Sequence, residues 1–167
     1  MPRKQAAPPL LDAAQAAFLA GPVAVGMASH DGDGVPSLSR AFGCKVSPDR
    51  CEVTVFLSSL RSGALLRDLA AGQPVAAVFS RPLTHETLQL KAGDVRLREL
   101  APGEREIMAA AGEAFVAELV SLGYAESFCR ALMSPSTDAA VAATFKPTAL
   151  YEQTPGPKAG ARLEPKP

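Results

Sequence analysis

Arg40 and Lys45 stand five residues apart in SRAFGCKV, residues 39–46, inside a run that otherwise reads as a buried strand. Side chains two apart share a face, so Leu38 and Phe42 flank the arginine on its own side. A guanidinium placed there is unfavourable unless an anion meets it. A second group of suitable residues is Ser58, Ser59, Arg61 and Ser62, where a strand gives way to a helix. Free N–H groups and the dipole at a helix N-terminus attract anions, while hydroxyls and a guanidinium add charge-assisted bonds to phosphate oxygens. Taken alone, this turn is better read as a serine cap with Arg61 in water. Arg40 and Lys45 shift the balance, because a second strand laid beside the third would bring all these groups toward one doubly charged ligand. An unbroken strand puts residues five apart on opposite faces; Gly43 offers a bulge that re-aims one of them. Lys45 alone has an equal alternative as a strand-end lysine reaching water.

The elements that must position these residues follow from periodicity and turn chemistry. Residues 10–20 are apolar at helical spacing and stop at Gly21-Pro22; PVAVGMASH is a strand, and DGDG at 31–34 is its turn. The partner strand runs over residues 36–46, SPDR turns the chain, and CEVTVFLS is a third strand with Val53, Val55 and Leu57 on one face. SSLRSGALLRDLAAG predicts a crossing helix ended by Gly72. VAAVFS is a fourth strand, and THETLQLKAGDVRL a fifth, broken at Gly93, whose Thr87, Gln89 and Lys91 form a polar face. A helix from Pro102 places Ile107, Ala111, Phe115, Leu119 and Leu122 on one side, and AESFCRALM is a second short helix. AATFKPTALYEQ reads as a last strand. The Pro/Gly-rich residues 151–167 read as a tail that is loose or lies along a neighbour. Several antiparallel strands with one crossing helix and a late helical pair predict a small barrel with helices outside.

Whole-chain properties narrow the function. At 167 residues the chain suits one domain. Lys+Arg 17 balances Asp+Glu 17, so no bulk field favours nucleic acid or an anionic membrane, and any bound anion is held locally. Cys44, Cys51 and Cys129 lack paired spacing and only His30 and His85 are present, so no metal site is expected and the thiols are read as reduced and cytoplasmic. The opening MPRKQAAPPLLDAAQAAFLAG faintly resembles an export signal, but Asp12 and Gln15 interrupt it, which favours an amphipathic entry helix. His30 and His85 are read as turn and strand residues, and Cys44 as a buried, inert thiol.

With these residues in view, the chain resembles the pyridoxamine 5′-phosphate oxidase-like flavin-binding split barrels. The resemblance covers about residues 10–98, with a weaker echo to about residue 160. Three features carry it: Arg-x-x-x-x-Lys on a strand (Arg40 to Lys45), a hydroxyl and basic strand-to-helix turn (SSLRS), and a glutamine on a later strand (Gln89 in LQLK). The resemblance implies a mainly β, six-stranded antiparallel Greek-key split barrel with flanking helices over residues 1–150. It implies flavin mononucleotide (FMN) as cofactor, with Arg40, Arg61 and Ser62 on the phosphate and Lys45 near the phosphate or ring. Ser58 and Ser59 would lie along the ribityl chain or ring edge, and Gln89 would approach the isoalloxazine. It further implies a homodimer with flavin between the subunits, with Thr87, Gln89 and Lys91 lining that groove; the catalytic residues are left unassigned, since with flavin doing the redox chemistry no side chain need be catalytic. The expected activity is a flavin reductase-like oxidoreductase whose flavin mediates between a nicotinamide donor and an acceptor. The oxidase's own C-terminal segment with tryptophan, arginine and histidine has no counterpart, since this chain contains no tryptophan and ends in QTPGPKAGARLEPKP. Pyridoxamine 5′-phosphate oxidation is therefore not expected. The turn also has one basic residue where the oxidase has two. The alternatives are a non-catalytic module that stores or senses flavin or haem, and a cofactor-free dimeric scaffold.

Overall fold

The computed structural model describes residues 9–134 and 139–165. Its first helix, α1 (Ala13–Leu19), starts in a reciprocal cap: Gln15 N–H donates to Asp12 Oδ1 at 2.8 Å, and Asp12 N–H donates to Gln15 Oε1 at 2.9 Å. Two strands follow, β1 (Ala24–His30) and β2 (Pro36–Ala41), joined by a turn whose hub is Asp31. Its Oδ1 accepts from the N–H groups of Asp33 and Val35, and Gly34 takes φ +83° where the chain reverses.

β3 (Cys44–Val46), β4 (Val53–Ser58), α2 (Gly63–Ala70), β5 (Val75–Ser80), β6 (Thr87–Ala92) and β7 (Val95–Arg98) come next. They are followed by α3 (Glu104–Ser121), α4 (Glu126–Leu132), β8 (Ala140–Phe145), β9 (Ala149–Glu152) and β10 (Arg162–Leu163). All pairings are antiparallel. One sheet runs β10-β9-β6-β5-β1-β2 and the other β3-β4-β8-β7. The expected antiparallel split barrel with flanking helices is thus present, built from two sheets with more strands than the six anticipated.

Three segments read as single strands each serve both sheets. Residues 36–46 divide at Phe42-Gly43 into β2 and β3. The fifth strand divides at Gly93 into β6 and β7, and the last divides at Lys146–Thr148 into β8 and β9. Such corners let a curved sheet fold over on itself. Alternation turns one face of β1, β5 and β6 to the core, and β4 is buried on both faces: Val25, Met27, Val55, Leu57, Phe79, Leu90 and Leu150 share the main core. Residues 151–165 are likewise not a loose tail. Tyr151 and Glu152 complete β9, and after the Pro/Gly turn Arg162 and Leu163 pair back on Tyr151 and Leu150.

α3 packs outside the barrel. Its Met108 joins Phe42, Phe56 and Ala142 in one small cluster, while Phe115, Val116 and Leu119 join Cys129 of α4 in another. The face agrees with the spacing at Phe115 and Leu119, which are buried, and at the half-buried Ile107 and Ala111, while Leu122 is 42% exposed and two acids, Glu104 and Glu118, turn inward beside it. Arginines account for the buried acids. Arg81 Nε lies 3.1 Å from Glu118 Oε2, and Leu83 N–H donates to Glu118 Oε1 at 2.9 Å. Among the described residues no helix is long and apolar enough to cross a membrane.

Candidate functional site

The end of β2 carries the bulge that Gly43 offered. Phe42 N–H donates to Phe56 O at 2.8 Å and Phe56 N–H donates to Gly43 O at 3.1 Å, so two residues oppose one. Gly43 is required on two counts: its φ is +110°, and a Cβ there would come within 2.8 Å of the Ala111 Cβ on α3. The extra residue resets the alternation. Ala41 and Cys44 both enter the main core, whereas Phe42 packs under α3. Arg40 and Lys45 consequently emerge on the same side, toward that helix.

They do not meet there. Lys45 Nζ lies 2.8 Å from Glu104 Oε1 at the start of α3. The same carboxylate accepts two hydrogen bonds of 2.7 Å from Arg98 and one of 2.8 Å from the Ala101 N–H. These bonds, Arg98's foremost, hold the Glu104 carboxyl down at about 2 despite its burial. Arg40 sits at the other end of the helix, its guanidinium carbon 5.1 Å from the centroid of the Phe115 ring. Glu104 and Phe115 are eleven residues apart, which is roughly 16 Å along a helix.

The Arg40 guanidinium has no anionic partner among the described residues. Nη2 donates to the Met133 thioether at 3.4 Å, and Nε is buried with no partner. Burial lowers its pKa from the ordinary arginine value. A thioether is a weak acceptor, so most of this group's five donors are poorly used. This is the kind of vacancy in hydrogen bonding that an anion fills.

The strand-to-helix turn is split between core and solvent. Ser62 is the N-cap residue of α2 without a side-chain cap bond; its Oγ instead lies 2.7 Å from Ser39 Oγ in the interior. Ser39 and Arg40 point to opposite faces of β2, so the sheet separates Ser62 from the guanidinium. Ser58 is buried, while Ser59 and Arg61 are exposed.

Gln89 is joined to Arg40 by register. Arg40 pairs with Gly26, Gly26 with Val78, Val78 with Gln89, and Gln89 with Tyr151. Directly paired residues share a face, so Arg40 and Gln89 lie on one row of the outer surface, three strand spacings or about 14 Å apart. The floor between them is low: a Cβ on Gly26 would meet nothing within 4 Å. Gln89 Oε1 accepts from Gln153 Nε2 at 3.3 Å.

Sequence reasoning missed Glu104, Phe115 and Met133. An acid in a helix's first turn reads as a dipole complement, and nothing local shows that Glu104 reaches back to Lys45. Cys44 donates its S–H to Leu19 O at 2.9 Å and burial pushes the thiol up to about 12, which makes it inert. His30 Nδ1 lies 2.7 Å from Asp31 O, and His85 takes φ +59° in the β5–β6 turn. Among the described residues no group of three metal-ligating side chains occurs.

No protein-family model matches the chain, and no curated protein does. Solved structures match it in fold at low identity. A candidate pyridoxamine 5′-phosphate oxidase from Lactobacillus delbrueckii is 14% identical with a TM-score of 0.53, over 84% of this chain and 93% of that one. HupZ from Group A Streptococcus is 12% identical with a TM-score of 0.54, over 90% and 99% respectively. The two-sheet antiparallel topology and these likenesses together give the chain the split-barrel fold of the pyridoxamine 5′-phosphate oxidase-like proteins.

Proposed function

We propose that the protein binds FMN on the outer face of its six-stranded sheet, in a groove completed by a second copy of the chain, and works as a flavin-dependent oxidoreductase. The observation that carries this reading is Arg40: a half-buried guanidinium with an orphaned Nε, on the same register row as Gln89 and separated from it by an open floor at Gly26. The residues fit a phosphate at Arg40, whose Nε lacks a partner. Ser59 and Arg61 are exposed on the strand-to-helix turn. Gln89 offers an amide to the ring. Lys45 and Ser62 are already engaged by Glu104 and Ser39 and contribute less than the family resemblance implies.

When bound, the flavin supplies the hydride and electron chemistry. The protein's part is to anchor the phosphate, to orient the ring and to exclude water from it. Leu38 on the same outer face is 77% exposed, and Gly26, Ala28, Ala76 and Val78 make the surface flat enough for a second sheet to approach. Oxidation of pyridoxamine 5′-phosphate is not part of this reading. A second phosphate needs free cations, yet Arg130 is held by Glu113 and Glu126, and Arg162 lies against Glu164.

An absorption spectrum and a titration of the purified protein test the proposal. The expected results are a flavin spectrum, or uptake of added FMN, with at least about tenfold weaker binding of riboflavin. Equal affinity for the two would remove the phosphate site, and a protein that takes up neither would leave the dimeric scaffold. Sedimentation should give twice the chain mass.

A further inference from the structure

Next to Arg40 lies a half-open cavity of about 340 Å³ between the β2 bulge, α3 and α4. Phe42, Met108, Val116 and Met133 form its apolar wall, Gly112 of α3 leaves that wall bare, and the Glu113–Arg130 ion pair and Ser134 line the rest. A Cβ on Gly112 would meet nothing within 4 Å. Met133 therefore has two neighbours of opposite character: on one side the Arg40 guanidinium, touched at 3.4 Å, and on the other the apolar wall of a space large enough to receive its side chain.

The energetics of this arrangement are lopsided. A guanidinium N–H gains little from a thioether, and the buried Nε beside it gains nothing at all. A phosphate oxygen at the same place forms charge-assisted bonds that are about twice as strong as neutral ones. A thioether loses little by moving into an apolar pocket, and its unbranched chain makes such a move conformationally easy. We propose that Met133 is a displaceable plug on Arg40: a phosphate monoester binds by pushing the thioether off the guanidinium and into the cavity beside Gly112.

This rests on the reading of Arg40 as a phosphate anchor, and it adds how that anchor is opened. In the absence of ligand the plug shields a desolvated cation from incidental anions. With ligand, the filled cavity ties α4 and α3 more firmly to the β2 bulge. Occupancy of the phosphate site is thereby coupled to the packing of the helical pair.

The test is methyl NMR of protein labelled at methionine, titrated separately with FMN and with inorganic phosphate. The Met133 methyl should shift on saturation with either probe, and the Met108 methyl should respond because it lines the receiving cavity. Met27, in the main core, should stay still. Filling the cavity with Gly112→Leu should raise the melting temperature, since glycine is a poor helix former, yet weaken FMN by about fivefold or more while leaving riboflavin unchanged. Met133→Ala should tighten FMN by about threefold, with folding confirmed by circular dichroism. A Met133 methyl that responds to neither probe overturns the plug, whether or not flavin binds, as does unchanged FMN affinity in the Gly112→Leu protein. A Met133 response to inorganic phosphate alone, with no FMN uptake, would keep the plug and sink the flavin reading.

Discussion

Two cations emerge from one bulged strand toward one helix, and their surroundings could hardly differ more. At the start of α3, Lys45 and Arg98 share a carboxylate that is 1% exposed and accepts four hydrogen bonds in all. Near the other end, Arg40 faces a phenyl ring and a thioether, and one of its buried nitrogens has no partner. The first arrangement is complete in itself. A buried carboxylate with every lone pair matched stabilises the place where the helix joins the sheets. The second lacks an acceptor, since a buried nitrogen has no partner. Residue type alone would rank Lys45 and Arg40 together; the partners separate a cation engaged by a carboxylate from one that the proposed site gives to a ligand.

The largest effect that would break this contrast comes from Glu104. Replacing it with Ala leaves Lys45 without its acceptor and Arg98 with the Glu99 carbonyl alone; because both cations are partly exposed, the cost should lie at the low end of that for breaking a buried pair, about 3 kcal/mol. For a chain of this length the melting temperature should fall by roughly 10 °C, read by calorimetry. The pH dependence sharpens the same point. The carboxyl is depressed from 4.5 to about 2, so its contribution is fully present above pH 4.5 and is lost as pH falls through 2. A depression of this size is worth about 3 kcal/mol. Denaturant titrations across that window should show the loss in the native protein and a flatter profile in Glu104→Gln.

Arg40 should behave in the opposite sense. Arg40→Leu removes a desolvated, poorly partnered charge, so stability should stay within about 1 kcal/mol of the native protein or rise. FMN affinity should fall by more than about tenfold while riboflavin is unaffected, which corresponds to roughly 1.5–3 kcal/mol for a charge-assisted bond. A large loss of stability in this variant, with FMN binding intact, would make Arg40 a structural residue like Lys45.

How much of this was legible beforehand follows from the range of the interactions. Strand periodicity, the turn at DGDG and the crossing helix are local, and they place β1 to β5 close to where the chain puts them. The bulge was readable because a glycine stood between two cations that an unbroken strand would separate. The division of residues 36–46, 84–97 and 142–153 between two sheets was not, because a corner changes the partner of a strand and leaves little mark on its composition. The fate of Lys45 was beyond reach for a different reason. Its partner lies 59 residues away on a helix whose apolar spacing gives no sign that an acid turns inward there. Nor does any local feature of the strand-to-helix turn announce the pairing of Ser62 with Ser39 in the interior.

The smallest effect, and the most discriminating, belongs to Lys45→Met. The lysine side chain is 40% exposed, so solvent screens much of its attraction to Glu104. Arg98 continues to hold both carboxylate oxygens after the change. The methionine keeps the aliphatic stem that packs along β3, so the loss should be about 1 kcal/mol or less, measurable as a small shift in the denaturant midpoint. FMN affinity should stay within about twofold, because the amine is engaged by Glu104 and the proposed phosphate anchor is Arg40. A tenfold loss of FMN binding in Lys45→Met, with stability unchanged, would mean that the lysine leaves Glu104 for the ligand. Both ends of α3 would then respond to the same anion, and the division between a closed structural end and an open functional end would have to be given up.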